Sequence, residues 1–387
     1  MRPIYLDNNA TTRVDAEVFQ GMLPFFIDQF GNASSMHDIG AAAGKAIKTA
    51  RRKLQALIGA KFDHEITFTS GGTESDNAAI LSGLEVNPER TEIVTSPVEH
   101  PAVRTLCAHL EKTRCVKVHR IPVDHYGRLD FDAYRAALTH RVAIVSIMWA
   151  NNETGTIFPV AKLAEMAKEV GALFHTDAVQ AVGKLPIDLK STAIDMLSLS
   201  GHKLHGPKGV GALYIRRGVP FHALIKGGRQ ERDRRAGTEN TPGIVGLGKA
   251  AELALQYMDK ENKRVKSLRD RLEKGLLERI PKSFVTGDPL ARLPNTTNVA
   301  FDRVDGEAIQ FLLNRHGIAC SSGSACTSGS LVRSHVLRAM NIPHTAALGA
   351  VRFSFSRYNL EEEVDRVLEV TPEIVKKLRD SFPISAG

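Results

Sequence analysis

The chain has 387 residues, 43% hydrophobic and 24% charged, which is the make-up of an ordinary soluble globular enzyme. Its 51 basic and 43 acidic side chains are mostly interleaved and leave a net charge of +8, and aromatics are only 6%, which excludes stacking platforms for nucleic acid. No apolar run reaches the roughly 20 residues that a membrane span needs, and the N-terminus lacks the apolar segment of a secretion signal, so no membrane partner and a cytoplasmic location are expected.

Residues 6–12 are short and rich in turn formers, either a solvated arm or the border of a site. The pattern predicts a helix over 16–29, a loop over 31–37 and a helix with a basic outer face over 40–58. Residues 66–69 read as a short strand, and the run Ser70-Gly-Gly-Thr-Glu-Ser-Asp-Asn77 then opens a helix. Its two glycines, Gly71 and Gly72, let the backbone approach an anion, with Thr73 as the expected N-cap and Asp76 completing a capping-box variant. The spacing is neither the dinucleotide fingerprint nor a P-loop, and a plain helix start is the alternative to a phosphate cradle.

A strand over 92–96 is followed by His100, whose imidazole before Pro101 is placed to lie on a planar cofactor; a structural turn histidine is the alternative. The apolar run 142–149 suits a parallel strand buried on both faces. It leads to Asn152 and a helix over 161–170. The strand starting at 173 ends in Asp177, a carboxylate that is costly there unless it has a partner such as a protonated pyridine nitrogen; a helix cap is the alternative. Lys203 follows the apolar run 193–199, with Ser200 and His202 beside it as phosphate or phenolate contacts, and a glycine-spaced turn leads into a strand over 210–215. A lysine at the lip of a buried sheet loses solvation, which favours the free amine that forms a Schiff base. Lys203 is therefore the candidate carrier of pyridoxal phosphate, against the alternative of a surface lysine in a hairpin. Strand and helix alternate to about residue 215, the mark of an open α/β sheet with its site beyond the strand carboxyl ends. Thr73, His100, Asn152, Asp177 and Lys203 each follow a predicted strand.

The charged loop 227–240 reads as a solvated turn or an anion clamp, and 241–280 as a long helix linking two domains. A second, α+β segment begins near 293, with a helix over 306–315. Residues 317–330 are small throughout and hold Cys326 in their middle, where a thiol is exposed, mobile and suited to a reactive role; Cys320 at the base of the run is expected to be buried. The other cysteines, Cys107 and Cys115, bring the total to four, too few for a disulfide framework. Arg352, on an alternating strand, can clamp a carboxylate with two parallel hydrogen bonds, and a helix over 360–381 closes the chain.

The strings YLDNNATT, FTSGGTESDN, EHPAV, WANNETG, FHTDAVQAVGK, LSGHKLHGPKGVG, RRAGTEN and SSGSACTSG follow one another at family spacing. Together they make the chain resemble the NifS-type cysteine desulfurases, a branch of the fold type I pyridoxal-phosphate enzymes, nearly end to end. The resemblance implies a large, mostly parallel sheet domain over 13–255. It also implies a smaller α+β domain from 1–12 and 256–387, carrying a mobile catalytic loop at about 320–333. It implies that Lys203 is the Schiff-base lysine, that His100 stacks on the ring, that Asp177 partners the pyridine nitrogen and that Gln180 bonds the ring oxygen. Gly72, Thr73, Ser200 and His202 match phosphate ligands. Thr238 matches a threonine that reaches the phosphate from a neighbouring subunit, which implies a homodimer. Asn152 and Arg352 match the holders of the substrate carboxylate, and Cys326 matches the nucleophile that accepts sulfur from L-cysteine. Cys320 lies outside that pattern and is a thiol to which a persulfide can be diverted. No metal is expected in the cofactor site, with Cys326 a cluster ligand only during transfer. The implied acceptor is a NifU-like iron–sulfur scaffold, serving nitrogenase or a housekeeping role. A selenocysteine lyase, a pyridoxal-phosphate aminotransferase and a sulfur carrier that binds the cofactor vestigially are the competing readings.

Overall fold

The structure is a computed structural model that describes residues 3–322 and 334–381. Its larger sheet holds seven strands among the described residues, in the order Ile66–Thr69, Gly211–Ile215, Met196–Ser200, Leu173–Asp177, Val142–Ser146, Glu92–Thr95 and Lys117–Arg120. Gly211–Ile215 is antiparallel to both neighbours, and the remaining pairings are parallel. Four strands at the middle of this sheet, 92–95, 142–146, 196–200 and 211–215, are buried at every residue, as expected of a sheet covered on both faces.

A second sheet joins Ser321–Ser322, Ala350–Ser354, Thr296–Phe301 and Ser283–Val285 in that order, all antiparallel. The N-terminal strand Ile4–Tyr5 pairs with Ile318–Ala319, which ties the start of the chain to this second region. The helix Thr241–Arg279 spans both regions. Its first half packs Ile244, Leu247, Ala251 and Met258 into the core of the large sheet. Its second half packs Val265, Leu268, Leu272 and Leu276 against Leu6, Phe301 and Phe353. Each of these side chains larger than alanine, taken fully out of water, contributes about 1.5–3 kcal/mol. Gly248 allows the close crossing with the helix Asp38–Leu57, since a Cβ there would lie 2.5 Å from the Ala50 Cβ.

Two local expectations are corrected. The single helix over 16–29 is two pieces, Ala16–Met22 and Pro24–Ile27, because Pro24 lacks the N–H that would continue the ladder. The loop 227–240 is not a solvated turn throughout: most of it is exposed, but Glu231, buried, takes both Nη atoms of Arg51 at 2.6 Å and the backbone N–H of Phe68 at 2.9 Å. Removing one partner from such a buried pair costs about 3–5 kcal/mol, so this contact pins the loop to the sheet.

Candidate active site

Five parallel strands end at one cavity of about 430 Å³. The strand ending at Thr69 delivers Gly72 and Thr73, the one ending at Thr95 delivers His100, and the one ending at Ser146 delivers Asn152. Asp177 and Gln180 come from the fourth, and Ser200, His202 and Lys203 from the fifth. Arg352, Ser321 and Ser322 of the second sheet close the opposite wall with Asn9 and Ala10 of the N-terminal segment. A ligand in this cavity would lie beyond the carboxyl ends of the strands, between the two sheets.

Lys203 ends a short 3-10 turn directly after its strand. Its Nζ donates to the Asn9 carbonyl at 2.6 Å and to the Ala10 carbonyl at 2.7 Å. Neither acceptor is charged, so the ammonium gains little against its lost hydration. Desolvation and then the Arg352 charge lower its pKa to about 8, with Asp177 and Asp7 opposing. An amine is therefore available close to neutral pH.

The floor of the cavity is acidic and buried. Asp177 is buried and accepts the Val179 N–H at 2.9 Å. Burial raises its pKa, while His100 and Lys203 pull it down. Asp76, also buried, has an Oδ1 without a hydrogen-bond partner among the described residues, 3.6 Å from His175 Nε2. Burial, with Asp177 adding repulsion, pushes the Asp76 carboxyl well up. His175 is held between Ser146 Oγ and Ser198 Oγ at 2.9 Å each, and burial lowers its pKa to about 3, so it is neutral. An isolated carboxylate on such a floor is poorly compensated, and a cationic ring nitrogen would answer that deficit.

The helix Gly72–Glu85 begins at the wall of the same cavity. Its N-cap is Gly71, not Thr73, and Asp76 takes no part in a capping box. The chain enters the helix through Gly71 at φ 156° and ψ −173°, a conformation open only to glycine, so Gly72 and Thr73 occupy the first helical turn and line the cavity. The backbone is tightly seated: a Cβ on Gly72 would stand 2.7 Å from Val179 Cγ2. Free N–H groups of a first turn, with Ser200 beside them and His202 lining the same cavity, suit an anion. His202 accepts or donates at Thr11 Oγ1, 3.1 Å away, and desolvation lowers its pKa to about 4.

His100 is the N-cap of the helix Pro101–Thr113, with proline at the first helical position. Its Nδ1 accepts from the Ala102 N–H at 3.2 Å. The residue keeps an exposed edge at the cavity rim, yet desolvation of the ring, with Lys203 adding, lowers its pKa. Arg352 Nη1 donates to the Asn152 carbonyl at 2.9 Å. Its Nε is buried and has no partner among the described residues.

Cys326 lies outside the described residues. Cys320 is buried, and desolvation raises its pKa to about 12, which leaves it a poor nucleophile and a poor diversion for a persulfide. Thr238 does not reach the cavity of its own chain; it lines a separate depression with Ser70, Glu231 and Arg235. Among the described residues no group of three His, Cys, Asp or Glu side chains is arranged to hold a metal, and no helix is long and apolar enough to cross a membrane.

Sequence reasoning missed four ionisable groups around the site. Glu99 takes the Ser96 hydroxyl at 2.6 Å and the Met148 N–H at 3.0 Å, and burial raises its pKa to about 8. Glu153 takes the Ser334 hydroxyl at 2.5 Å, and burial raises its pKa to about 7. Asp76 is the third, and Lys184, which donates to Gln180 Oε1 at 2.8 Å, is the fourth. Glu153 had a readable sign, since it sits next to Asn152 in the same strand-exit turn.

A family model described as aminotransferase class-V matches residues 4–367. A protein named cysteine desulfurase from Sinorhizobium fredii is 81% identical over 387 residues, the whole of both chains. Cysteine desulfurase NifS of Azotobacter vinelandii is 60% identical, covering 100% of this chain and 96% of that one. A solved structure described as a NifS-like protein superposes with a TM-score of 0.91 at 39% identity, over 97% of this chain and 100% of that one. Another, described as SspA in complex with cysteine, gives 0.79 at 34% identity, over 92% and 100%. The class-V aminotransferases use pyridoxal 5'-phosphate, and the residues here fit it: a desolvated lysine, a buried carboxylate short of a counter-charge and a helix start packed too closely for a side chain. The chain belongs to the class-V aminotransferase family, among the cysteine desulfurases of the NifS type.

Proposed function

We propose that the chain converts L-cysteine to L-alanine and takes the sulfur onto Cys326 as a persulfide. The observation that carries this reading is the convergence of Lys203, Asp177, His100 and Arg352 on one cavity. The relatives named cysteine desulfurase and the neighbour described with cysteine support it.

Pyridoxal phosphate, when bound, supplies an electron sink for negative charge at the substrate Cα. Gly72, Thr73, Ser200 and His202 would hold its phosphate, Asp177 would partner its ring nitrogen, Gln180 its ring oxygen, and His100 would pack against the ring. Arg352 and Asn152 take the substrate carboxylate, which aims Cα toward Lys203. The Lys203 amine, its pKa lowered to about 8, removes the Cα proton. His100 moves a proton at the substrate sulfur. The Cys326 thiolate forms an S–S bond with that sulfur while the Cβ–S bond breaks, the electron pair staying with the carbon skeleton that is protonated to L-alanine. Cys320, with its thiol held near pKa 12, takes no part.

The finer reading is a cytoplasmic homodimer in which Thr238 of one subunit completes the phosphate site of the other. It passes sulfur to iron–sulfur cluster assembly for nitrogenase through a NifU-like scaffold, with Cys326 a cluster ligand during transfer. Support comes from the relative named NifS and from the position of Thr238 outside its own cavity. The test is a purified holoenzyme given L-cysteine with a reductant, with alanine and sulfide measured together. Equal amounts of the two, abolished by Lys203→Ala, are expected; pyruvate-dependent transamination without sulfide overturns the reading. Transfer of labelled sulfur to a NifU-like scaffold tests the acceptor.

A further inference from the structure

Lys184 lies on the turn that follows the strand Leu173–Asp177, and its ammonium reaches back toward the cavity wall. Nζ donates to Gln180 Oε1 at 2.8 Å and to the Gln180 carbonyl at 3.2 Å. Gln180 Nε2 in turn donates to the Asn9 carbonyl at 2.9 Å, the same oxygen that accepts from Lys203 Nζ at 2.6 Å. Asn262 Nδ2 fixes the turn itself by donating to the Lys184 carbonyl at 2.7 Å. We propose that Lys184 is a positioning residue that holds the Gln180 amide with its NH2 end toward the cavity, where the ring oxygen of the cofactor accepts from it. The inference rests on the assignment of Asp177, Lys203 and Gln180 to the cofactor.

The chemistry of the partners leaves one orientation. An ammonium has only donors, so it takes the amide oxygen; a backbone carbonyl only accepts, so Asn9 takes the NH2 end. One of the two amide protons goes to Asn9, and the other remains for an acceptor in the cavity that Gln180 lines. Without Lys184 the buried Gln180 oxygen would lose its donor, and the amide would have reason to rotate away. Charge acts in the same direction. Lys184 shares a small cleft with Lys203, Glu261 and Arg357, and its charge is felt at His202. Desolvation, with Lys203 and Arg352 adding and Glu261 opposing, lowers its own pKa to about 7. A cation here and a hydrogen bond to the ring oxygen both ease loss of a proton from the lysine-bound cofactor.

The test uses holoenzyme and follows the visible absorption of the bound cofactor against pH. Lys184→Met keeps the aliphatic stem and removes the donors and the charge. The midpoint of the absorption change is expected to rise by roughly half a unit or more, with Lys184→Arg returning most of the way. Gln180→Ala should raise it as well, and adding Lys184→Met to that variant should move it much less than in the parent. Should the Met variant fail to accumulate, Lys184→Leu, which also lacks donors and charge, carries the same expectation with the same sign. An unmoved midpoint in a variant that still binds cofactor overturns the inference and leaves the cofactor assignment standing. So do two shifts that simply add. A parent enzyme that takes up no pyridoxal phosphate overturns both.

Discussion

Arg352 Nη2 donates to Asp7 Oδ1 at 2.7 Å, so the arginine assigned to the substrate is already tied to the N-terminal segment before any substrate arrives. Asp7 itself bridges to Ser354 on the same strand as Arg352. Together with the Asn152 carbonyl this fixes the plane of the guanidinium and leaves its remaining donors for a carboxylate. A lysine cannot reproduce that fork. Arg352→Lys is expected to raise KM for L-cysteine at least about tenfold, a loss of roughly 1.4 kcal/mol, while the cofactor spectrum is kept. Steady-state kinetics beside an absorption scan of the variant check this.

Asp177 is a buried carboxylate held at the expense of stability. It shares a buried floor with Asp76, and burial raises both carboxyls. Asp177→Asn keeps the volume and removes one of two interacting acids. The apo variant is expected to melt higher than the parent apo protein, while kcat/KM falls about a hundredfold or more, because the ring nitrogen loses its anionic partner. Calorimetry of the apo proteins and turnover of the holoproteins measure the two halves separately.

Glu99 gives a pH dependence of known sign. Burial raises its folded pKa from 4.5 to about 8, so the folded state binds the proton more tightly than the unfolded chain. Its contribution to stability is complete below about pH 4.5 and is lost as pH rises through about 8. Glu153, raised to about 7, acts in the same window, whereas His175, lowered to about 3, works in the opposite sense below pH 6.5. Glu99→Gln is expected to flatten the fall in stability between pH 6 and 8 by on the order of 1–3 kcal/mol. Urea unfolding at a series of pH values reads the slope.

The sequence carried the strand order of chemistry well, because the site is built from chain segments that leave parallel strands. Ser200, His202 and Lys203 stand beside an apolar run that only a buried strand explains, and Asp177 ends another. What could not be read was burial of isolated charges. Glu99 and Lys184 look like solvated groups in a one-dimensional string and Asp76 like a helix-cap partner, and only packing makes Glu99 a neighbour of Met148 and Lys184 a neighbour of Gln180. The misplaced helix cap at Thr73 has a similar origin. A serine or threonine is the usual cap, but Gly71 alone tolerates the entry angle that the crossing with Gly211 imposes, where a Cβ would stand 2.7 Å from the Gly71 Cα. Pro24 falls inside the helix expected over 16–29 and divides it.

The account turns on sulfur leaving the cofactor pocket on a thiol of the chain itself. Cys326→Ser holoenzyme, given L-cysteine and a reductant, measures this directly when sulfide and alanine are followed beside the cofactor spectrum, with Cys320→Ser as the companion. The expected result is an unchanged cofactor spectrum with sulfide and alanine production lost in Cys326→Ser and retained in Cys320→Ser. Full turnover by Cys326→Ser would contradict the account.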